Sequence, residues 1–230
     1  MPSDAPSWHR VLAAAARLQE LVPDAVLVGG SGAALRVQHR VSFDDDHVVR
    51  DLANRFDDLL AELEETDGWV TARVNRPFMV LGSLDGVETG IRNLIRRRPL
   101  EVEALQTPDG TIRVPTLAEM ARVKGWMILR RNATRDYLDF AALADQLGAR
   151  APALVRGMDR YYADQRGPDG LRVATQLCKQ LAEPAPYDLS DIDLAHYRSL
   201  AERWQDWSEV VSVCRRVAVA TLDTGDEAEK

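Results

Sequence analysis

VLVGGSGAALRVQHRVSFDDDHVV, residues 26–49, contains the sequence pattern that best predicts the fold of the chain. It predicts a short apolar strand, a Gly-Gly turn, a helix of small residues and a second strand that opens with three aspartates. Gly29 and Gly30 lack a Cβ, so their backbone amides can approach a ligand closely. Ser31 stands at the expected N-cap of the helix, whose free N–H groups and positive dipole end favour a phosphate. We therefore predict a phosphate-binding turn here.

The aspartates predict a metal site on one side of the second strand. Side chains alternate across a strand, so Asp44 and Asp46 point to the same side and Asp45 points to the other. Ser42 is expected on the side of Asp44, near incoming phosphates. Mg²⁺ prefers hard oxygen ligands and usually shares them with substrate phosphates. Asp44 and Asp46 are therefore the predicted metal ligands and catalytic carboxylates, with Mg²⁺ as the cofactor.

Each half of this pattern also has an ordinary explanation. A Gly-Gly turn is common, and a run of aspartates is usually a solvated loop or the start of a helix. His47, which follows the aspartates, is expected to pack or to face solvent rather than to bind metal. The two halves in this order favour a site for phosphate and metal over either explanation alone.

The residues G-G-S, a short helix and then R-x-S-x-D-x-D resemble the signature of the polymerase-beta-type nucleotidyltransferases. More narrowly, they resemble the AbiEii/AbiGii toxin-like nucleotidyltransferases, which include the Men-type toxins. The resemblance implies a minimal nucleotidyltransferase fold. The positions that it assigns to nucleotide binding, together with Lys124 described next, are Gly29, Gly30, Ser31, Arg40 and Ser42.

A second group of residues downstream extends this resemblance. In the family, a helix with T-x-x-E-x-x-x-x-K is followed by a helix that begins R-D-x-x-D, and Lys124 and Asp136 occupy the K and first D positions here. The resemblance implies that Lys124 contacts the triphosphate and that Asp136 orients this lysine or accepts the proton of the attacking hydroxyl. Asp139 is expected to be a structural partner. An ordinary salt bridge between Lys124 and Asp136 is the alternative.

One departure from the family pattern concerns the third carboxylate. Polymerase-beta-type enzymes usually add an acid from a later central strand, and the candidate strand here reads VETGIRNLI. Glu88 is its only acid, and Arg92 lies on the same face. Either two carboxylates and substrate phosphates hold the metal, or Glu88 completes the site, or activity is reduced.

Hydrophobic periodicity predicts the elements that surround these motifs. Helices are expected over residues 8–21 and 51–65, where apolar residues recur at helical spacing. Residues 69–75 alternate as a strand does, and Asp85-Gly86 predicts a hairpin turn between two further strands. The order predicts an α+β fold, with a small mixed sheet and helices followed by a helical domain.

The change to helical periodicity after Pro115 predicts the domain boundaries. We expect a nucleotidyltransferase core over residues 1–115, a helical domain over 116–221 that contributes Lys124 and Asp136 to the site, and a disordered tail over 222–230. The last helix of the helical domain is predicted from residue 195 to about residue 221.

Composition limits the class of protein. No stretch approaches the roughly twenty apolar residues of a membrane span, and the N-terminus lacks a signal-peptide pattern, so we expect a cytoplasmic protein without a membrane partner. The net charge of -7 argues against nonspecific coating of nucleic acid. Arginines nevertheless cluster over residues 92–98 and 122–135, where they suit an RNA backbone or a triphosphate. Cys178 and Cys214 are expected to be core thiols.

The leading hypothesis is a magnesium-dependent nucleotidyltransferase that moves a nucleoside monophosphate from an NTP to an acceptor hydroxyl. The resemblance implies CTP or UTP as donor, the 3' end of tRNA as acceptor, and a toxin with a cognate antitoxin. Two alternatives remain open: an antibiotic-type nucleotidyltransferase that acts on a small molecule, and a noncatalytic binding domain on the same fold.

Overall fold

The computed structural model describes residues 6–165 and 170–223, and the chain forms two compact units. The first unit comprises residues 1–35 and 41–116, and the second comprises residues 36–40 and 117–230. Strands occur in the first unit, and the described part of the second contains only helices and turns, which confirms the predicted α+β class. Of the predicted tail, residues 224–230 lie outside the described part of the chain.

The first unit is built on a mixed five-stranded sheet in the order β1-β2-β5-β4-β3. In chain order its strands are β1 (Val26–Leu27), β2 (Asp44–Val49), β3 (Trp69–Asn75), β4 (Met79–Leu84) and β5 (Val87–Asn93). The neighbours β2 and β5 are parallel, and the other pairs are antiparallel. The predicted hairpin at Asp85-Gly86 joins β4 to β5. A separate antiparallel pair consists of β6 (Val102–Thr107) and β7 (Gly110–Pro115).

Helices cover one face of the five-stranded sheet. The helices that begin in this unit are α1 (Trp8–Leu21), α2 (Gly29–Val37) and α3 (Phe56–Glu64). Leu18 of α1 and Leu63 of α3 are buried in one apolar cluster with Val80 and Ile91 of the sheet. Each such side chain contributes about 1.5–3 kcal/mol when fully buried, so this cluster fixes which face of the sheet is the inner one.

The helix predicted over residues 51–65 begins later than expected. A 3₁₀ turn spans Leu52–Asn54, and α3 begins only at Phe56. Arg55 between them has φ -132° and ψ 24°, outside helical values, and its guanidinium pairs with Asp24. Leu52 of the 3₁₀ turn is buried in the apolar core, so this turn packs on the sheet as a separate element before α3.

The second unit contains seven α-helices in its described residues. They are α4 (Leu117–Arg131), α5 (Thr134–Leu147), α6 (Ala151–Arg156), α7 (Met158–Tyr161), α8 (Val173–Ala182), α9 (Glu202–Gln205) and α10 (Trp207–Asp223). Tyr137, Leu138 and Phe140 of α5 are completely buried, which places α5 at the centre of the unit. No helix in residues 6–165 and 170–223 has the length and apolar character needed to cross a bilayer.

The helix predicted from residue 195 to residue 221 is divided in the structure. Residues 194–196 form a 3₁₀ turn, and α9 and α10 are separated at Asp206. Asp206 has extended backbone angles, and its carboxylate accepts a hydrogen bond from the N–H of Ser208 at 2.9 Å. Asp206 thus caps the start of α10, a signal that the apolar periodicity alone did not reveal.

Candidate active site

The interior strand β2 divides its three aspartates between the two faces of the sheet. Asp45 is buried on the inner face, and Asp44 and Asp46 lie on the outer face. In the parallel register, Asp44 is opposite Glu88 and Asp46 is opposite Gly90 of β5. Paired residues of neighbouring strands point to the same face, so Glu88 lies on the face of the two aspartates.

The carboxylate of Asp46 occupies a space that two glycines leave open. A Cβ on Gly90 would lie 2.9 Å from Oδ1 of Asp46, and a Cβ on Gly29 would lie 2.8 Å from the Cβ of Asp46. Gly29 also has φ +64°, which disfavours any residue with a side chain. The Gly-Gly turn and β5 therefore hold Asp46 in place, while its side chain remains 30% exposed.

Ser31 does not cap α2 as predicted. The helix begins at Gly29, and the hydroxyl of Ser31 is buried and donates to the backbone carbonyl of Asp44 at 2.5 Å. Because Ser31 already lies inside the first turn, its side chain points towards β2 and not back along the helix. It attaches the Gly-Gly turn to the strand that carries the aspartates.

Ser42 lies beside Asp44 on the approach to β2. Its buried hydroxyl donates to Oδ1 of Asp44 at 2.8 Å. A hydroxyl donor restricts the rotamer of the carboxylate that it contacts. Ser42 therefore acts on Asp44 in this structure, and the predicted contact of Ser42 with a nucleotide stays a prediction.

Two titratable side chains of β2 lie behind these carboxylates, on the inner face. Neither carboxylate oxygen of Asp45 and neither ring nitrogen of His47 has a hydrogen-bond partner. Burial, followed by the charges of Asp44 and Asp46, raises the pKa of Asp45 well above its usual value, and burial lowers the pKa of His47 to about 3. Both shifts favour the neutral forms, so His47 is a packing residue, as expected from the sequence.

The outer face supplies hard oxygen donors that fit Mg²⁺ in part. Asp44 and Asp46 share that face with Glu88, but no three His, Cys, Asp or Glu side chains within residues 6–165 and 170–223 are arranged to hold a metal alone. Nε of Arg92 lies 3.4 Å from Oδ1 of Asp46. This donor set suits a cation that takes its remaining ligands from substrate phosphates and water.

The second unit contains a buried cluster of charges around Asp139. Its carboxylate accepts from Nζ of Lys124 at 2.7 Å, from Nε of Arg40 at 2.7 Å and from Nε2 of His39 at 2.7 Å. Lys124 is 3% exposed and Asp139 is 0% exposed. Burial alone would raise the pKa of Asp139, but Arg40, Lys124 and His39 outweigh it and hold the pKa well below its usual value.

The carboxylate that orients Lys124 is thus Asp139, whereas the sequence pointed to Asp136. Asp136 is also buried, but Nε and Nη2 of Arg131 bind its two oxygens at 3.1 and 2.6 Å. Asp136 lies in the first turn of α5, and its partner Arg131 is the last residue of α4. One signal for Asp139 was available, because it stands in the apolar run Leu138 to Phe140, where a carboxylate must be paired.

The cluster includes His39, which the sequence analysis did not select. Residues 36–40 belong to the second unit, although the residues on both sides of them belong to the first. Because the backbone joins the second unit over these residues, the imidazole of His39 is buried there and contacts Asp139. A lone histidine before Arg40 carried no periodic or motif signal that would predict it.

Comparison with curated proteins finds partial matches to transporters. The chain is 42% identical over 130 residues to the "Mycolic acid-containing lipids exporter MmpL11" of Mycolicibacterium smegmatis and to the "Heme uptake protein MmpL11" of Mycobacterium tuberculosis. Each match covers 56% of this chain and 13% of the relative, so the chain spans about an eighth of the length of these relatives. No family model matches the chain.

Comparison with solved structures identifies the fold. The chain is similar over 100% of its length, and 100% of the other chain, to the crystal structure of a putative nucleotidyltransferase from H. pylori, with a TM-score of 0.54 and 14% identity. The chain therefore has a nucleotidyltransferase fold, in agreement with the coarse part of the sequence resemblance.

The space around Asp46 generates a first prediction. Gly90→Ala is expected to displace the Asp46 carboxylate and to weaken Mn²⁺ binding, measured by electron paramagnetic resonance, by about tenfold or more. The new methyl would also meet Cδ2 of Leu81 at 3.0 Å. Gly90→Ala with Leu81→Ala relieves only that second contact, so it should recover stability without recovering Mn²⁺ affinity. Recovery of both would show that the methyl acts through packing alone.

The buried cluster generates a second prediction. Asp139→Asn should lower the free energy of unfolding by about 3–5 kcal/mol in urea denaturation, because it removes the buried carboxylate charge that Lys124 and Arg40 share. Asp145→Asn is the matched control on α5, since Asp145 pairs with the half-exposed Arg203, and should cost no more than about 1 kcal/mol.

The pH dependence of the same variant follows from the lowered pKa of Asp139. Its stabilising charge is fully present above the unfolded-state pKa of about 3.9 and is lost as the pH falls towards the lower folded value. The stability difference between the parent and Asp139→Asn should therefore be constant from neutral pH to about pH 5 and shrink below about pH 4. A difference that disappears near neutral pH would contradict the charged network.

Proposed function

We propose that the chain is a nucleotidyltransferase that moves a nucleoside monophosphate from an NTP to an acceptor hydroxyl and releases pyrophosphate. The observation that carries this proposal is the Asp46 carboxylate, fitted between Gly29 and Gly90 beside Asp44 on the outer face of the sheet. The nucleotidyltransferase fold supports it independently. The activity requires a cation and a phosphate at one place, and the Gly-Gly turn meets the two aspartates there.

The reaction is an in-line displacement at the α-phosphorus. The acceptor oxygen forms a bond to phosphorus as the bond to the pyrophosphate oxygen breaks, and the hydroxyl proton passes to a carboxylate. A bound Mg²⁺ would neutralise phosphate charge and orient the two oxygens. Asp44 and Asp46 would hold this ion, and Ser42 keeps Asp44 in position. We assign Glu88 as the third carboxylate because it lies on the same face, in register with Asp44.

The phosphates are assigned to the Gly-Gly turn at Gly29 and Gly30 and to cationic side chains. Arg92, at 3.4 Å from Asp46, is already next to the carboxylates and is half-exposed. We also assign Lys124 and Arg40 to the triphosphate, on the basis of the sequence motif. Their shared carboxylate, Asp139, would then be a positioning residue that keeps two cations from separating.

The finer assignments rest on the sequence resemblance. They name CTP or UTP as the donor, the 3' end of tRNA as the acceptor, and a cytoplasmic toxin that is controlled by a cognate antitoxin. The same carboxylates would serve a small-molecule acceptor equally well, because the chemistry at phosphorus does not depend on the source of the hydroxyl.

Incubation with labelled NTPs, Mg²⁺ and total tRNA tests the proposal. Label on tRNA supports the tRNA acceptor. Label on small molecules alone supports the antibiotic-type alternative and removes the toxin assignment. Absence of transfer to tRNA and to a panel of small hydroxyl compounds supports the noncatalytic alternative and overturns the proposal.

The carboxylates generate a third prediction. Asp44→Ala and Asp46→Ala should each lower transfer at least about 100-fold, because the metal loses a ligand, while thermal unfolding changes little since two like charges no longer repel. Glu88→Gln should lower transfer about tenfold if Glu88 completes the site. Asp57→Ala is the control, because Asp57 is an exposed carboxylate of α3 paired with Arg76. A fully active Asp46→Ala enzyme contradicts the site.

The contact between Lys124 and Asp139 generates a fourth prediction. Lys124→Met should raise the KM for NTP, and its effect should be non-additive with Asp139→Asn by at least about 1 kcal/mol, because the two side chains are in contact. Lys124→Met and Asp136→Asn should be additive, because Asp136 is bound by Arg131. Lower stability with an unchanged KM would restrict Lys124 to a structural salt bridge.

A further inference from the structure

A cationic cavity in the second unit has no role in the proposed transfer. It has a volume of about 610 Å³ and is lined by α6, α7, α8 and α10. Four cationic side chains line it, and Asp159 is its only carboxylate among the described residues. The cationic residues are Arg156, Arg160, Arg172 and Lys179. The chain as a whole carries a net charge of -7, so this local excess of cations runs against the overall charge.

The charges of the cavity are only partly used by the fold. Asp159 accepts from the N–H of Val173 at 3.0 Å and lies 3.9 Å from Arg172. Arg156 donates to backbone carbonyls near the end of α10. Arg160 and Lys179 are exposed, and neither pairs with a carboxylate in the described part of the chain. Two cations are therefore available to an external anion without loss of an internal contact.

Part of the cavity lining is apolar, and we call this part the floor. Ala174, Cys178 and Ala182 of α8 belong to it, together with Leu222 of α10, which has 69% of its surface exposed. Leu171, adjacent in sequence to Arg172, is 46% exposed. Exposed apolar surface with a charged rim is typical of a protein-binding site.

We propose that this cavity binds an acidic amphipathic helix of a partner protein. Such a helix presents an apolar stripe to the floor and carboxylates to Arg160, Lys179 and their neighbours, so both features of the cavity gain a partner. An RNA backbone would pair with the cations, but its phosphates would leave the floor without apolar contact. Among the described residues, no aromatic side chain lines the cavity to stack a base.

A synthetic helical peptide of about 16 residues, with leucines on one stripe and glutamates beside it, is the probe. Binding to the full chain is measured by calorimetry, and helix formation by circular dichroism. A peptide of the same composition without helical periodicity should bind at least about tenfold more weakly, because it cannot present the stripe. Rising salt should weaken the binding of the amphipathic peptide, because salt screens the charge contacts.

Variants separate the two components of the site. The double variant Arg160→Glu and Lys179→Glu should raise the Kd for the amphipathic peptide about tenfold. The single variant Leu222→Asp should also raise this Kd about tenfold. Arg135→Glu is the matched control, because Arg135 is an exposed arginine of the same unit outside the cavity, and it should leave the Kd unchanged. Unchanged thermal unfolding establishes that the variants are folded. If charge reversal destabilises the unit, the double variant Arg160→Gln and Lys179→Gln replaces the glutamate variant.

Three results would overturn the proposal. The first is equal binding of the patterned and unpatterned peptides. The second is an unchanged Kd for Leu222→Asp, which would reduce the site to a general anion surface. The third is that a single-stranded RNA of equal charge binds more tightly than the peptide and that the same variants lose this RNA binding. That result would make the cavity a nucleic-acid surface.

Discussion

The space that Gly29 and Gly90 leave for the Asp46 side chain is the constraint on which the candidate site depends. Gly29 has a left-handed conformation, and a Cβ on Gly29 or Gly90 would lie within 2.9 Å of the Asp46 side chain. Ser31 then ties the same turn to β2 through the carbonyl of Asp44. Close packing at the two glycines and the Ser31 hydrogen bond therefore position the turn, β2 and β5, and the apolar cluster on the inner face stabilises the sheet that carries them.

The outer and inner faces of β2 show the cost of placing titratable side chains in an interior strand. Asp44 and Asp46 reach solvent or polar partners, whereas Asp45 and His47 are buried without hydrogen bonds. An unpaired polar group in an apolar interior is destabilising. The alternation of the strand makes this cost unavoidable, because three consecutive aspartates cannot all face outwards. The unpaired polar groups of Asp45 and His47 therefore destabilise the strand that carries the candidate site.

Sequence patterns predicted the elements well where one physical signal dominated. The helix over residues 8–21 and the hairpin at Asp85-Gly86 follow from apolar spacing and turn chemistry. Prediction failed where a side-chain contact decides. Asp206 starts α10 through a local hydrogen bond to the N–H of Ser208, which apolar periodicity does not show. Asp139 gathers polar partners from sequence positions up to 100 residues away, which no local periodicity encodes. The faces of Asp44 and Asp46 were predictable from alternation, but the two glycines that shape their space became visible only with the strand register.

The excursion of residues 36–40 makes neither unit continuous in sequence. His39 and Arg40 are buried on Asp139, while the segments before and after them build the sheet unit. The helical unit is therefore not a module that recombination could exchange by a single junction near residue 116. Any replacement would have to supply a carboxylate for the guanidinium and imidazole left behind, so the two halves of the gene are expected to have been inherited together and to vary in concert.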